Sequence, residues 1–330
     1  MGIIGGLRRD YYITAEGTTY LGIPGGHGLY AAVGARVWCD EVALFSRMGP
    51  GIPESDLAHI GVAGIRMMAP SREFEALELR RFFAYVTREH RLGSNPAAHF
   101  LRIGRPLPKD LLGYPAPDTE QATRILGGLD SFLPDDLMAE GLSAGCFHLC
   151  PADFRTHLLL PAHLRGSGAR LITLDPAPFY EGMDYASALR DIISGLDAFL
   201  PSAEEAREVF RPQEMGPFET AEALASFGCG AVAVKHGAGG SCVWDGKLGR
   251  GWHVPAYPAR VLDITGAGDA YCGGFLAGLW ERGDALEAAL KGTVSASLAI
   301  EGSGAFYPLD AHPGLARARL EALRPLVRPA

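Results

Sequence analysis

Short runs of apolar, often β-branched residues alternate along this chain with longer amphipathic stretches, and each run stops at a polar or glycine-rich turn. Residues 2–4, 41–46, 170–174 and 231–234 are such runs, the second ending in the turn 48–51. They are hydrophobic on both faces, which suits strands buried inside a parallel sheet. The patterns over 185–199 and 203–210 predict amphipathic helices between them. This alternation specifies an α/β fold, a doubly wound, mostly parallel sheet flanked by helices. Ligands of such folds sit beyond the carboxyl ends of the strands.

Two segments break the alternation. Residues 11–23 and 77–92 mix aromatic and β-branched residues with charges, the mark of a smaller sheet with one wet face. The expected organisation is one domain over 1–330, with a small β-sheet lid built from about 11–23 and 77–104. Residues 95–118 hold five prolines and read as irregular loop. Cys146, His148 and Cys150 share one face of a short apolar run, but a single strand is poor metal geometry and a buried strand is the better reading. The pairs Arg8-Arg9 and Arg80-Arg81 are candidates to attract phosphate, and residues 315–327 read as an amphipathic helix with its arginines on the wet face.

Charge limits the partners. The net charge of -8 offers nucleic acid no attraction, and an anionic ligand would need a local trap against the global field. Six scattered cysteines read as reduced thiols. No stretch reaches the ~18 apolar residues of a membrane helix, so a cytoplasmic protein is expected. A nucleotide-dependent oxidoreductase is disfavoured, because no Gly-x-Gly-x-x-Gly follows the first strand with an acidic residue about 20 residues on.

The trap lies in residues 261–280, which read as a strand end, a glycine turn and then a helix. Gly266 and Gly268 leave backbone N–H groups open at a helix start, where the dipole favours anions. Asp269 stands beside that point, placed to accept a hydroxyl proton. Alone, a Gly-x-Gly-Asp string more often marks a capped helix. Gly273, Gly274 and Gly278 each cost roughly 1 kcal/mol inside a helix, so something must approach that helix closely.

The longer string Asp263-Ile264-Thr265-Gly266-Ala267-Gly268-Asp269-Ala270 resembles the Asp-Thr-x-Gly-Ala-Gly-Asp signature of the pfkB (ribokinase-like) carbohydrate and nucleoside kinases. Residues 24–32, with Gly25-Gly26 and Ala32, are similar to that family's Gly-Gly-x-x-x-Asn-x-Ala element. Gly5 and Asp10 match its spacing after the first strand. Residues 234–240 are similar to its Val-Thr-x-Gly-x-x-Gly, and Gly304-Ala305 to its late Gly-Ala.

The resemblance implies an ATP-dependent small-molecule kinase, a phosphotransferase acting on a hydroxyl of a sugar-like or nucleoside substrate. It makes Asp269 the base and Gly266, Ala267 and Gly268 the anion hole. Ser202, Glu205, Lys235, Gly237, Gly240, Thr265 and Gly304 fall at nucleotide-side positions. Asp10, Gly26, His27 and Tyr30 fall on the acceptor side. ATP and Mg²⁺ are the implied cofactors, with Glu205 acting on Mg²⁺ indirectly, and Asp263 matches a site for a monovalent cation such as K⁺ in some members. The lid would exclude water and offers a surface for a homodimer.

Three departures stand out. Tyr30 replaces the acceptor-binding Asn, which favours a flatter or less polar substrate. Ser202 replaces the Asn of Asn-x-x-Glu and also reads as a helix cap answered by Glu205. Ile264 removes a hydroxyl beside the cation position. Lys235, where many members have Thr, either reaches the phosphates or snorkels from a strand end. The alternative function is a catalytically weak relative with a nucleotide- or metabolite-binding regulatory role.

Overall fold

The computed structural model describes residues 1–47, 51–68, 79–87, 90–114, 131–137, 144–177 and 184–330. The expected turn at 48–51 therefore lies outside the described residues except for Gly51, as do residues 77–78, 88–89 and 115–118. Its strands, in chain order, are β1 (Gly2–Ile4), β2 (Arg8–Ile13), β3 (Thr19–Gly25), β4 (Val42–Phe45), β5 (Ile65–Met68), β6 (Arg80–Tyr85) and β7 (Arg91–Leu92). They continue with β8 (Cys146–Leu149), β9 (Leu171–Leu174), β10 (Ala198–Phe199), β11 (Ala231–Lys235), β12 (Ser241–Asp245), β13 (Arg250–Val254) and β14 (Arg328–Pro329).

Among the described residues, ten of these form one sheet in the order β14-β13-β12-β11-β10-β9-β8-β1-β4-β5. Pairing is parallel from β5 through β11 and antiparallel from β11 to β14. The chain winds outward from β1 to β5, then restarts at β8 and winds the other way. The reversal between β1 and β8 is where crevices open in such sheets. Ile3, Phe147, Ile172 and Val232 are fully buried, each contributing about 1.5–3 kcal/mol of apolar burial.

The in-helix glycines have their expected cause. Helix Ala267–Arg282 lies between helices His27–Arg36 and Ala285–Ala299. A Cβ on Gly273 would stand 1.8 Å from the Ala31 carbonyl oxygen, and one on Gly278 2.6 Å from Ala288 Cα. Backbone meets backbone at both places.

The smaller sheet runs β3-β2-β6-β7, with β2 and β6 parallel. Strand alternation sorts its side chains into two rows. Tyr11, Ile13, Phe82 and Ala84 pack under Phe100 and Leu111, while Tyr12, Phe83 and Tyr85 turn the other way, toward Ile264. Both rows are buried, so the expected wet face is absent: helix Pro96–Arg102 and the residues after it cover it. That helix also corrects the expectation of irregular chain over 95–118, because the Asn95 side chain caps it at Ala98 N–H and Pro96 fits its first turn.

Three further expectations shift. The helix from Tyr185 ends at Ile193, and Ala198–Phe199 is a strand, its residues buried between β9 and β11. Residues 261–264 are not a strand; the Leu262 and Asp263 amides donate to the Ile300 carbonyl, at the end of a helix. In the C-terminal helix Leu315–Leu323, Arg319 is buried and bonded to Ser297 and Glu301 rather than wet. Among the described residues no helix is long and apolar enough to cross a membrane.

Candidate active site

Gly266 is the N-cap of helix Ala267–Arg282 and takes φ +73°, a conformation that favours glycine. A Cβ there would also lie 2.0 Å from the Tyr30 ring, so Tyr30 forms the floor beneath the turn. Of the first amides, that of Ala267 donates to the Ile264 carbonyl at 3.2 Å. Those of Gly268 and Asp269 belong to the first turn, which has no intrahelical acceptor. Asp269 is thus the third helical residue, its carboxylate beside open amides and the positive end of the dipole.

His27 opens helix His27–Arg36 behind Gly26, whose φ of +93° and position 2.5 Å from the Gly6 carbonyl (measured to an added Cβ) leave no room for a side chain. His27 Nδ1 lies 2.9 Å from Asp269 Oδ1, and Arg81 Nη1 lies 2.9 Å from His27 Nε2. Burial alone would raise the Asp269 pKa, but His27, with Lys235 and Arg81 beyond it, holds it below the ordinary carboxylate value. Both ring nitrogens of His27 are therefore engaged by the protein itself.

Asp10 projects from β2 on the same side as Tyr12, opposite Arg81 in register. It is almost fully buried, and burial raises its pKa to about 6 against the pull of Arg81, Arg8, His27 and Arg91. Its Oδ1 has no hydrogen-bond partner among the described residues, an unusual state for a buried acceptor. Arg81 and Arg91 stack over the Phe83 ring, 5.5 and 4.6 Å from its centroid. Tyr30, by contrast, is core: it is 4% exposed, and its hydroxyl has no partner among the described residues.

The other side of Asp269 carries the remaining charges. Lys235 ends β11, and its Nζ lies 2.6 Å from Asp175 Oδ2 and 3.4 Å from Cys272 Sγ. The same nitrogen stands 3.9 Å from where a Cβ on Gly268 would be, so it faces the open amides. Burial pushes Asp175 up to about 7, with Lys235 pulling it back, and Asp175 keeps Lys235 charged. Ser202 bridges to Lys235 across the sheet end and caps helix Ala203–Phe210, with Glu205 returning the bond to Ser202 N–H at 2.7 Å. Gly237 and Gly240, at φ +56° and +83°, shape the exposed turn after β11.

Thr265 donates its amide to Asp263 Oδ1 at 2.9 Å, and its Oγ1 lies 2.6 Å from the Tyr85 hydroxyl of the smaller sheet. A Cβ on Gly304 would lie 3.6 Å from Ile23 Cδ1 of β3. Among the described residues no group of three or more His, Cys, Asp or Glu could hold a metal ion. A separate cavity of about 460 Å³ lies at the far end of helix His27–Arg36, lined by Arg36, His59, Phe306 and His312; it contains none of these residues.

Sequence reasoning thus placed Asp10, His27, Asp269 and Lys235 around one point. It missed Asp175 and Tyr85 as parts of the site, and named Arg81 only within a basic pair that attracts phosphate, not as a partner of His27. Period-two alternation through Arg81, Phe83 and Tyr85 could have found two of them, since the register puts Arg81 opposite Asp10.

Comparison with known proteins finds kinases. Residues 162–312 match the model of the pfkB family carbohydrate kinases. The chain is similar to a cytidine kinase of Thermococcus kodakarensis, 32% identical over 154 residues that span 46% of this chain and 53% of the relative. It is also similar to fructoselysine 6-kinase of Escherichia coli, 38% identical over 26% of this chain and 32% of the relative. The aligned part is therefore about half the length of the first curated relative and less of the second. In fold it is similar to a putative ribokinase II from E. coli solved with ATP and Mg²⁺ (TM-score 0.68, 15% identity, 97% of this chain and 98% of that one). An adenosine kinase from Sinorhizobium meliloti gives TM-score 0.69 at 16% identity, covering 97% and 98%.

Proposed function

We propose that this ribokinase-like chain, which carries the pfkB carbohydrate-kinase match over residues 162–312, moves the γ-phosphoryl group of ATP onto a hydroxyl of a small sugar-like or nucleoside substrate. The observation that carries the reading is Asp269: a half-buried carboxylate in the first turn of a glycine-opened helix, between Asp10 on one side and Lys235 on the other.

In the proposed step Asp269 takes the acceptor hydroxyl proton as the oxygen attacks the γ-phosphorus, and the bond from phosphorus to the bridging oxygen breaks to release ADP. The Gly268 and Asp269 amides and the Lys235 ammonium meet the charge on the transferring group. Ala267, expected among the donors, has its amide on Ile264 in this state. Asp10, with its unpartnered Oδ1, is placed to accept from an acceptor hydroxyl. The turn 237–240 would pass the nucleotide, with Ser202 and Glu205 shaping that end.

Mg²⁺ would neutralise phosphate charge; it keeps several waters and needs only one or two carboxylates. Glu205 and Asp175 stand on the nucleotide side and fit that demand. Asp263, with the backbone of Thr265, is the proposed place for a monovalent cation such as K⁺. The smaller sheet, acting as a lid, would exclude water from the site. Tyr30 lies in the floor, so the departure from the family pattern there alters the pocket's shape without touching Asp269.

The test is purified protein with ATP and Mg²⁺ against a panel of sugars and nucleosides. Phosphorylated product is expected for at least one acceptor. Tight nucleotide binding with no transfer to any hydroxyl would favour the regulatory alternative.

A further inference from the structure

Resting on that reading of Asp269 as the base, we propose that Arg81 and His27 are its positioning residues. Arg81, from the smaller sheet, fixes His27 as the neutral ring with its proton on Nδ1, and His27 then holds Asp269 by Oδ1.

The direction of the chain follows from elementary donor counting. A guanidinium has N–H donors and no acceptor. Arg81 Nη1 lies 2.9 Å from His27 Nε2, so that nitrogen must accept. The ring proton is then on Nδ1, 2.9 Å from Asp269 Oδ1, and His27 donates to the carboxylate. Donation runs Arg81 to His27 to Asp269, across three elements brought together by the fold: β6, helix His27–Arg36 and helix Ala267–Arg282. The second carboxylate oxygen is the one left to meet the acceptor hydroxyl.

The charged groups around this chain are Asp10 and Arg8 on β2 and Arg91 on β7, the two arginines acting with His27 on Asp10, and Lys235 on β11, acting on Asp269. With Arg81 seated, Nε2 is occupied and cannot take a proton. With Arg81 withdrawn, Nε2 is open to water beside a carboxylate, and the opposite charge favours the imidazolium. An imidazolium on Oδ1 lowers the proton affinity that the base needs. The base therefore senses whether the smaller sheet is seated, and transfer is favoured only when it is.

The sign of the pH effect is fixed. Without Arg81 the ring is free to take a second proton at Nε2, so activity is kept at high pH and lost as pH falls. The experiment uses the full chain and four variants: Arg81→Met, Arg81→Lys, His27→Asn and the double Arg81→Met/His27→Asn. Nitrogen NMR of His27 in ligand-free protein should show the Nδ1–H tautomer in the parent and a protonated ring in Arg81→Met at acidic pH. In turnover, Arg81→Met should lose about tenfold in kcat/KM at about pH 6 and recover by about pH 8.5. Arg81→Lys, still a donor without an acceptor, should restore most of the loss. The double variant, which has no ring to charge, should lose the acid limb.

An Nε2–H tautomer in the parent, or an Arg81→Met loss that is the same at every pH, overturns the proposal. The NMR arm needs no turnover, so it decides the proposal even if no acceptor is phosphorylated, an outcome that would sink the kinase reading alone.

Discussion

Lys235 Nζ lies 2.6 Å from Asp175 Oδ2, and the pair faces the first turn of the helix that carries Asp269. Asp175 follows β9 and Lys235 ends β11, so two strand ends of the large sheet deliver one charge pair to the phosphate side. If Lys235 serves the nucleotide, Lys235→Met should raise the KM for ATP about tenfold, the equivalent of about 1.4 kcal/mol. It should also destabilise the fold more at about pH 8 than at about pH 5, because Asp175, already pushed up to about 7, is then a lone buried charge only in the alkaline range. Steady-state kinetics and melts at the two pH values check both parts. An unchanged KM would make Lys235 a structural residue.

Asp10 carries a pH dependence of its own. Its pKa is raised from 3.8 to about 6 in the folded chain. A raised carboxyl stabilises the fold fully below its unfolded value and loses that contribution as pH climbs through the folded one. The gap is worth about 3 kcal/mol. Melting the parent and Asp10→Asn from about pH 4 to about pH 7 should show the parent losing ground to the variant by that order. Parallel curves would mean that Asp10 is not buried as described.

Tyr30 separates floor from ligand. Its buried hydroxyl has no partner among the described residues, so Tyr30→Phe should be neutral or stabilising by up to about 1 kcal/mol, with turnover unchanged. Tyr30→Asn, which restores the family residue, should instead cost about 3–5 kcal/mol by opening a cavity under Gly266. A large kinetic loss in Tyr30→Phe with unchanged melting would place the hydroxyl in the acceptor pocket.

Gly273→Ala tests the close approach of the central helices. An added methyl would stand 1.8 Å from the Ala31 carbonyl, a backbone atom that cannot step aside. A loss of about 3 kcal/mol or more in chemical denaturation is expected. A neutral outcome would contradict the packing of helix Ala267–Arg282 on helix His27–Arg36.

The large sheet was legible because buried parallel strands announce themselves as apolar runs, and 2–4, 41–46, 170–174 and 231–234 all became strands. The short β10 was hidden: Ala198 and Phe199 continue a helical pattern, and only their place between β9 and β11 makes them a strand. Helix Pro96–Arg102 was masked by nearby prolines, although Asn95 followed by Pro96 is a helix start. The smaller sheet was read from its aromatic and charged mixture, but its second covered face was not, since Phe100 and Leu111 come from the stretch taken for loop. At the site, the motif residues were found as a string. The partners that set their chemistry, Arg81 on His27 and Asp175 on Lys235, depend on contacts 54 and 60 residues apart, which a motif does not contain.

The most direct test is single-turnover phosphotransfer from ATP in Asp269→Asn with an acceptor that the parent phosphorylates, alongside nucleotide binding measured on the same protein. Asp269 as the base predicts transfer slowed by about 10²-fold or more with nucleotide binding retained. Transfer at the parent rate would contradict it.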